Sequence, residues 1–345
     1  MNQIRIPAAF IRGGTSKGVF FKESDLPEDI RAWDAIFLAV IGAPDPNRRQ
    51  LNGMGGGISS LNKVMIVRPS KRDDADVDYT FAQIAADQPI VDYSANCGNL
   101  SSAIGPFAID EGLIDVDDGE PLVRLFNTNT SKIIHTRVPV ANGQTVIAGD
   151  FVLQGVSGTG AKLKLDYLDP GGAGTGNLLP TGQVVETLDV EGLGEVTVSL
   201  VDAATPMVFV AADTLSMTAT ESPVELDADQ NAKAHLEQIR CAGAVRMGMA
   251  NRLEDTGLAS PRIAICAPPT PFTSLSNEAV TALAQDITVR VVSSGDTHRA
   301  TPLTSAMCLS AACQIAGTLP NQMTTANSSE VRVGNPSGVL IVEAH

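Results

Sequence analysis

The sequence predicts an α+β protein built from two similar halves, and three observations carry that prediction. The chain has 345 residues, enough for about two globular domains at ~100–200 residues each. It holds 31 glycines and 20 prolines but only 4% aromatic residues, a composition that suits many strands joined by tight turns better than a helical bundle. Each half also reads as several strands and a helix that begins beside a loop of small residues, Asn96–Asn99 in the first and Thr301–Ala306 in the second. With 43% hydrophobic and 18% charged residues, most of the chain can bury a core.

The elements follow in order. Residues 3–11 alternate as a strand, Arg12 to Gly18 forms a loop, and Val19–Phe21 resumes a strand. Ser24-Asp25-Leu26-Pro27 reads as a helix start, with Ile30, Trp33, Phe37, Val40 and Ile41 on one face and Gly42 as the stop. Gly53–Gly57 is a flexible loop before the strand Lys63–Val67, and Tyr79–Ala85 is a further strand. A helix runs from Asn96 to Glu111, kinked by Pro106 and stopped by Gly112. Residues 121–168 read as strands with turns at Asn142-Gly143 and Gly158. The Gly- and Pro-rich stretch Asp169–Gly182 marks the domain boundary, giving domains 1–180 and 181–345, with the last strand free to return to the first domain. Beyond it, strands are expected near 183–190, 194–202, 206–211, 262–266 and 287–293. Helices are expected near 229–246 and from Leu303 to Ile315.

The formal charge of −15 argues against nucleic acid or an anionic membrane as the main partner. It leaves room for a small anionic substrate held by a local positive field. The first residues, Met1 to Pro7, lack the charged and apolar regions of a signal peptide, and no apolar run is long enough to span a membrane. Five cysteines without metal or CxxC spacing point to reduced thiols in a cytoplasm, and four scattered histidines give no metal site.

Few segments carry chemistry. Cys97 stands where a helix begins, a place that favours negative charge, whether a thiolate or a bound carboxylate. Lys63 leads into the apolar run Val64–Val67; burial disfavours an ammonium, so this amine is a candidate proton acceptor. Gly13-Gly14-Thr15-Ser16-Lys17-Gly18 lacks P-loop spacing, although its N–H groups, hydroxyls and lysine suit a carboxylate as well as a plain hairpin. Gly172–Gly176 does not follow a strand into a helix, so a dinucleotide site is excluded, and no GxSxG elbow is present.

Taken together, Arg12–Phe20, Asn52-Gly53-Met54-Gly55-Gly56, Asp76-Val77-Asp78-Tyr79 and Asn96-Cys97-Gly98-Asn99-Leu100 resemble the PrpF family. Later matches are Leu179-Pro180-Thr181-Gly182, Arg246-Met247-Gly248 and Asn335-Pro336-Ser337-Gly338, so the resemblance spans nearly the whole chain. It implies a diaminopimelate-epimerase-like fold: two similar domains, each a mostly antiparallel sheet wrapped around a central helix, with the active site between them. It implies an isomerase of unsaturated di- or tricarboxylates that uses neither cofactor nor metal, with 2-methylaconitate, methylitaconate and 4-oxalomesaconate as the candidate acids. The family's substrate-facing lysine and cysteine stand 34 residues apart, as Lys63 and Cys97 do here. Those two are the implied catalytic residues. The implied substrate-binding residues are Thr15, Ser16, Lys17, Gly55, Gly56, Ser59, Asn96, Gly98, Asn99, His298, Thr304, Ser305, Ala306 and Met307. Arg12, Lys17, Lys63 and two helix N-termini are the groups expected to make the field positive there.

Three departures from the family pattern bear on function. Related racemases carry a second cysteine before the second domain's helix, where this chain has Pro302, which disfavours a two-thiol racemase. Asn335 stands where the family usually has histidine, and the chain ends short of the usual C-terminal strands, which bears on the completeness of one sheet. A homodimer is a further partner reading. So is a link to a 2-methylcitrate dehydratase, with a non-catalytic accessory role as the competing function.

Overall fold

A computed structural model describes residues 3–344. It divides into two compact units, one ending at Asp169 and one beginning at Pro170. The boundary lies at the front of the Gly- and Pro-rich stretch and not at residue 180. Residues 170–178 are already tied to the second unit: Ala204 N donates to Pro170 O, Gly172 N to Asp202 O, and Asp202 N to Leu178 O.

The first unit contains β1 (Ala9–Gly13), β2 (Ser16–Lys22), α1 (Trp33–Ile41), β3 (Lys63–Pro69), β4 (Val77–Ile84) and β5 (Val91–Asp92). These are followed by α2 (Gly98–Ser101), α3 (Ile104–Asp110), β6 (Leu122–Asn127), β7 (Lys132–Arg137), the small hairpin β8 (Val140–Ala141) and β9 (Gln144–Thr145), and β10 (Lys164–Tyr167). The sheet runs β1-β2-β3-β4-β6-β7-β10, with β5 on β4. Its parallel pairs are β2/β3 and β4/β6, and the others are antiparallel.

The period of two along each strand sends alternate side chains to opposite faces. Val19, Phe21, Val64, Ile66, Ala82 and Ile84 form a core with Phe37 and Ile41 of α1. Phe20, one residue out of step, packs its ring 5.5 Å from that of Phe107 on α3. So the sheet carries α1 on one face and α2–α3 on the other.

Helix α1 starts at Trp33, later than Ser24, because Asp29 caps a separate 3-10 turn at Ile30–Ala32. Pro106 does more than kink its helix. It has no N–H to offer Ser102 O, and the segment is split into α2 and α3. Asn142 and Gly143, both at positive φ, make the tight turn between β8 and β9, while residues 146–163 lie outside any strand.

The second unit contains β11 (Glu186–Val190), β12 (Gly194–Asp202), β13 (Pro206–Ala211), α4 (Pro223–Ala228), α5 (Gln230–Arg246) and β14 (Arg262–Ala267). Then come the small hairpin β15 (Phe272–Thr273) and β16 (Ala279–Val280), β17 (Ile287–Ser293), β18 (Asp296–Thr297), α6 (Leu303–Gln314), α7 (Leu319–Met323), β19 (Glu330–Asn335) and β20 (Gly338–Glu343). Its sheet runs β11-β12-β13-β14-β17-β19-β20, with β18 on β17. The last strand stays in this unit, antiparallel to β19, and does not return to the first. Both sheets have eight strands among the described residues.

Alternation again builds two cores. Met207, Phe209, Ala264 and Cys266 face Cys308, Leu309 and Ala312 of α6, while Val208, Val210, Ile263 and Ile265 face Leu236 and Ile239 of α5.

Candidate active site

In the first unit the strand register determines what accompanies Lys63. Val64 and Ile66 point to α1, so Lys63, the first residue of β3, points to the α2–α3 face. Its cross-strand partner on β4 is Gln83, which has the same parity as Phe81. Lys63 is only 4% exposed, and its Nζ donates to Gln83 Oε1 at 2.6 Å and lies 5.0 Å from the centre of the Phe81 ring. Gln83 Nε2 in turn donates to Ser59 O at 3.0 Å and Asn62 O at 2.8 Å.

Cys97 is buried and is the N-cap of α2, with extended backbone and no capping bond from its side chain. A buried polar network holds this elbow. Tyr79 Oη donates to Asn96 Oδ1 at 3.3 Å and shares a 2.7 Å hydrogen bond with Ser101 Oγ, and Asn127 Nδ2 donates to Asn96 Oδ1 at 3.1 Å. Burial pushes the Tyr79 phenol well above its ordinary value, so it stays a neutral donor. Asn96 therefore serves the elbow's frame.

The loop at Gly14-Thr15 is the turn of the β1–β2 hairpin, laid against α2. Asn99 Nδ2 donates to Thr15 Oγ1 at 2.9 Å and Ser16 Oγ at 3.2 Å. A Cβ built on Gly18 would stand 2.7 Å from Lys63 O and 2.9 Å from Leu100 Cδ1, so only glycine lets β2 pass between them.

The same parity separates Lys17 from this group. Lys17 pairs with Arg12 on the α1 side of the sheet, its Nζ 5.1 Å from the Phe10 ring, and Arg12 Nη1 donates to Gly14 O. The N–H groups of the glycine loop already have partners in the first unit. Gly55 N donates to Ile41 O of α1, and Gly56 N donates to Asn62 Oδ1 at 3.1 Å. Ser59 lends its carbonyl to Gln83, and Gly98 is the first residue of α2.

In the second unit Pro302 is the N-cap of α6, as Cys97 is of α2. Arg262 is the first residue of β14, as Lys63 is of β3, and its parity points it to α6. Its Nη1 donates to Thr304 Oγ1 at 3.0 Å and Ser305 Oγ at 2.8 Å. Ala306 is buried in the first turn, where its N–H donates to Pro302 O, and Met307 is half-buried one residue on. His298 is buried, with Nε2 2.7 Å from Ser293 Oγ. Cys266, Cys308 and Cys313 are core residues whose thiols burial pushes up, that of Cys313 to about 12.

Gln83, Phe81 and Arg262 were not visible as site residues in the sequence. A signal existed for one of them: Arg262 leads into Ile263–Ala267 as Lys63 leads into Val64–Val67.

The chain as a whole is similar to known proteins. The family model described as PrpF protein matches residues 3–345. A relative named 2-methyl-aconitate isomerase, from Cupriavidus necator, is 41% identical over 99% of this chain and 90% of its own. A solved methylitaconate-delta-isomerase matches at 38% identity with a TM-score of 0.78, covering all of this chain and 90% of the other. A hydroxyproline epimerase shares the fold alone, at 11% identity and a TM-score of 0.52 over 97% of this chain and 83% of its own.

Proposed function

The chain belongs to the PrpF family, and from that premise we propose that it is an isomerase that moves a proton within an unsaturated di- or tricarboxylate, with no cofactor, and that Lys63 is its base. The observation that carries this reading is the buried Lys63 amine, held by a neutral carboxamide on the face of the sheet that meets α2.

An allylic C–H conjugated to a carboxylate is weakly acidic. Lys63 Nζ takes that proton, and the C–H electron pair spreads into the conjugated carboxylate as a dienolate. The same amine returns the proton further along the chain to shift the double bond, or to the original carbon after rotation to invert its geometry. Cys97 serves as a second acid or base at the head of α2.

Thr15 and Ser16 accept hydrogen bonds from Asn99 through their oxygens, which leaves their O–H groups to donate to a carboxylate. Within the second unit, Thr304 and Ser305 accept from Arg262 in the same manner. The absence of a thiol at Pro302 tells against a racemase of the two-thiol type. We take 2-methylaconitate as the first substrate to test, since the 41% identical relative is named for it, with methylitaconate and 4-oxalomesaconate as alternatives.

The test is NMR of the three acids in deuterated water with purified protein alone, no dehydratase added. Wild type is expected to exchange and isomerise at least one of them. Lys63→Met is expected to lower exchange by at least about 100-fold while keeping its circular dichroism. Exchange at the wild-type rate in that variant removes Lys63 from the mechanism. No activity until a 2-methylcitrate dehydratase is supplied would favour an accessory role. Five free thiols among the described residues fit a reducing cytoplasm. No helix among those residues is long and apolar enough to cross a membrane.

A further inference from the structure

We propose that Gln83 is the positioning residue for Lys63: its carboxamide, locked by the turn that precedes β3, holds the amine in place without placing a charge beside it. The inference rests on the reading of Lys63 as the base.

The two residues are cross-strand partners on β3 and β4, so their side chains leave the sheet together on the α2–α3 face. A lysine side chain has many rotamers, and only a bond at its tip fixes where the nitrogen sits. One such bond here is the 2.6 Å contact from Nζ to Gln83 Oε1. The amide cannot turn over to offer its NH2 group to the amine. Its two N–H bonds are already spent on Ser59 O and Asn62 O, and a flip would set Oε1 against both carbonyls. The acceptor is therefore both fixed and neutral. It takes one N–H of Lys63 whether or not the amine is protonated, and Phe81 supports the nitrogen from the same strand. A carboxylate in that place would also orient the amine, but would hold the proton on it.

Several ionisable groups lie on the neighbouring elements, and on β5 Asp92 stands across from Gln83. On β2, Lys22 pairs with Glu111 and Lys17 lies over Phe10. On β3 and β4, Arg68 pairs with Asp78, and Tyr79 binds Ser101. Cys97 is the ionisable group at the head of α2.

Two variants test this, with the 2-methylaconitate, methylitaconate and 4-oxalomesaconate panel in deuterated water as probe. Gln83→Met keeps the length and removes the acceptor. Its kcat is expected to fall by about 10- to 100-fold with KM within about threefold, the signature of a misplaced base. Gln83→Glu is expected to move the rising limb of the kcat–pH profile upward by about one unit or more, which lost packing alone would not do. Should Gln83→Met fail to fold, the Glu profile decides. A folded Gln83→Met with wild-type kcat, or an unmoved limb in Gln83→Glu, overturns the proposal. Lys63→Met separates the two levels. If it loses exchange while the Gln83 variants behave as wild type, Lys63 remains the base and only the role of Gln83 fails. If Lys63→Met exchanges normally, the reading beneath both fails.

Discussion

At the scale of single residues, strand parity sorts the cations more sharply than composition does. Lys17 and Lys63 both read as site residues in the sequence, Lys17 as a substrate ligand and Lys63 as the base. The fold sends them to opposite faces, because Lys17 is in step with Val19 and Lys63 with Met65. Lys17→Met is therefore expected to leave kcat/KM within about threefold of wild type, the range of a distant, screened charge. Steady-state kinetics with the exchanged acid checks it, and a loss approaching that of Lys63→Met would return Lys17 to the site. Lys63 and Cys97 stand out in the sequence because their signals are local: a lysine before an apolar run, and a cysteine opening a helix between Asn96 and Gly98. Gln83 does not stand out, since its place beside Lys63 comes from a pairing register, and register is a property of two strands together.

At the scale of elements, the clearest strands and helices were legible by period. The runs at Lys63–Pro69, Val77–Ile84, Pro206–Ala211, Arg262–Ala267 and Ile287–Ser293 lie close to where the pattern put them, as do the long helices Gln230–Arg246 and Leu303–Gln314. What escaped was decided by tertiary contacts. Strand β19 was not anticipated, because Glu330–Asn335 mixes polar and apolar residues and is ordered by pairing with β17 on one side and β20 on the other. The glycines around α2 also have a packing reason that composition does not reveal. Gly18 lies where a side chain would strike Lys63 O and Leu100 together. Gly18→Ala is expected to cost about 1–3 kcal/mol, as overpacking does, and to slow exchange by displacing the start of β3. Gly160→Ala, whose new Cβ would meet only Ile147 O at 3.5 Å, is the control and should stay within about 0.5 kcal/mol. Urea midpoints compare them, and equal midpoints for the two would remove the packing argument.

At the scale of the whole molecule, the duplication read from the order of strands and helices in each half is carried by the topology. Strands β1, β2, β3, β4, β6 and β7 pair in the order antiparallel, parallel, antiparallel, parallel, antiparallel, and so do β12, β13, β14, β17, β19 and β20. Each series inserts a helix after its second strand and a short strand plus a helical segment after its fourth. The repeat extends to side chains. Asp76, just before β4, accepts from Arg124 N at 2.7 Å and Arg124 Nη2 at 2.6 Å; Asp286, just before β17, accepts from Arg332 N at 2.8 Å and Arg332 Nη2 at 2.6 Å. Each clamp closes the parallel junction to the next strand, which offers no tight turn to hold it.

Burial raises both carboxyls, but the bonds from Arg124 and Arg332 outweigh it and hold each below its ordinary value. A carboxyl whose folded value is depressed adds stability that is complete above its unfolded value, about 3.9, and is lost as pH falls through the folded value. Both units are thus expected to lose stability below about pH 4 as the clamps protonate. The double variant Asp76→Asn/Asp286→Asn, unable to ionise there, should melt lower than wild type at pH 7 and lose less on further acidification. Thermal melts from neutral pH down to the acid limit test this. An acid slope in the double variant as steep as in wild type would mean that other carboxylates, such as Glu186 beside Arg246, control the acid response, and that the duplicated clamps contribute little to it.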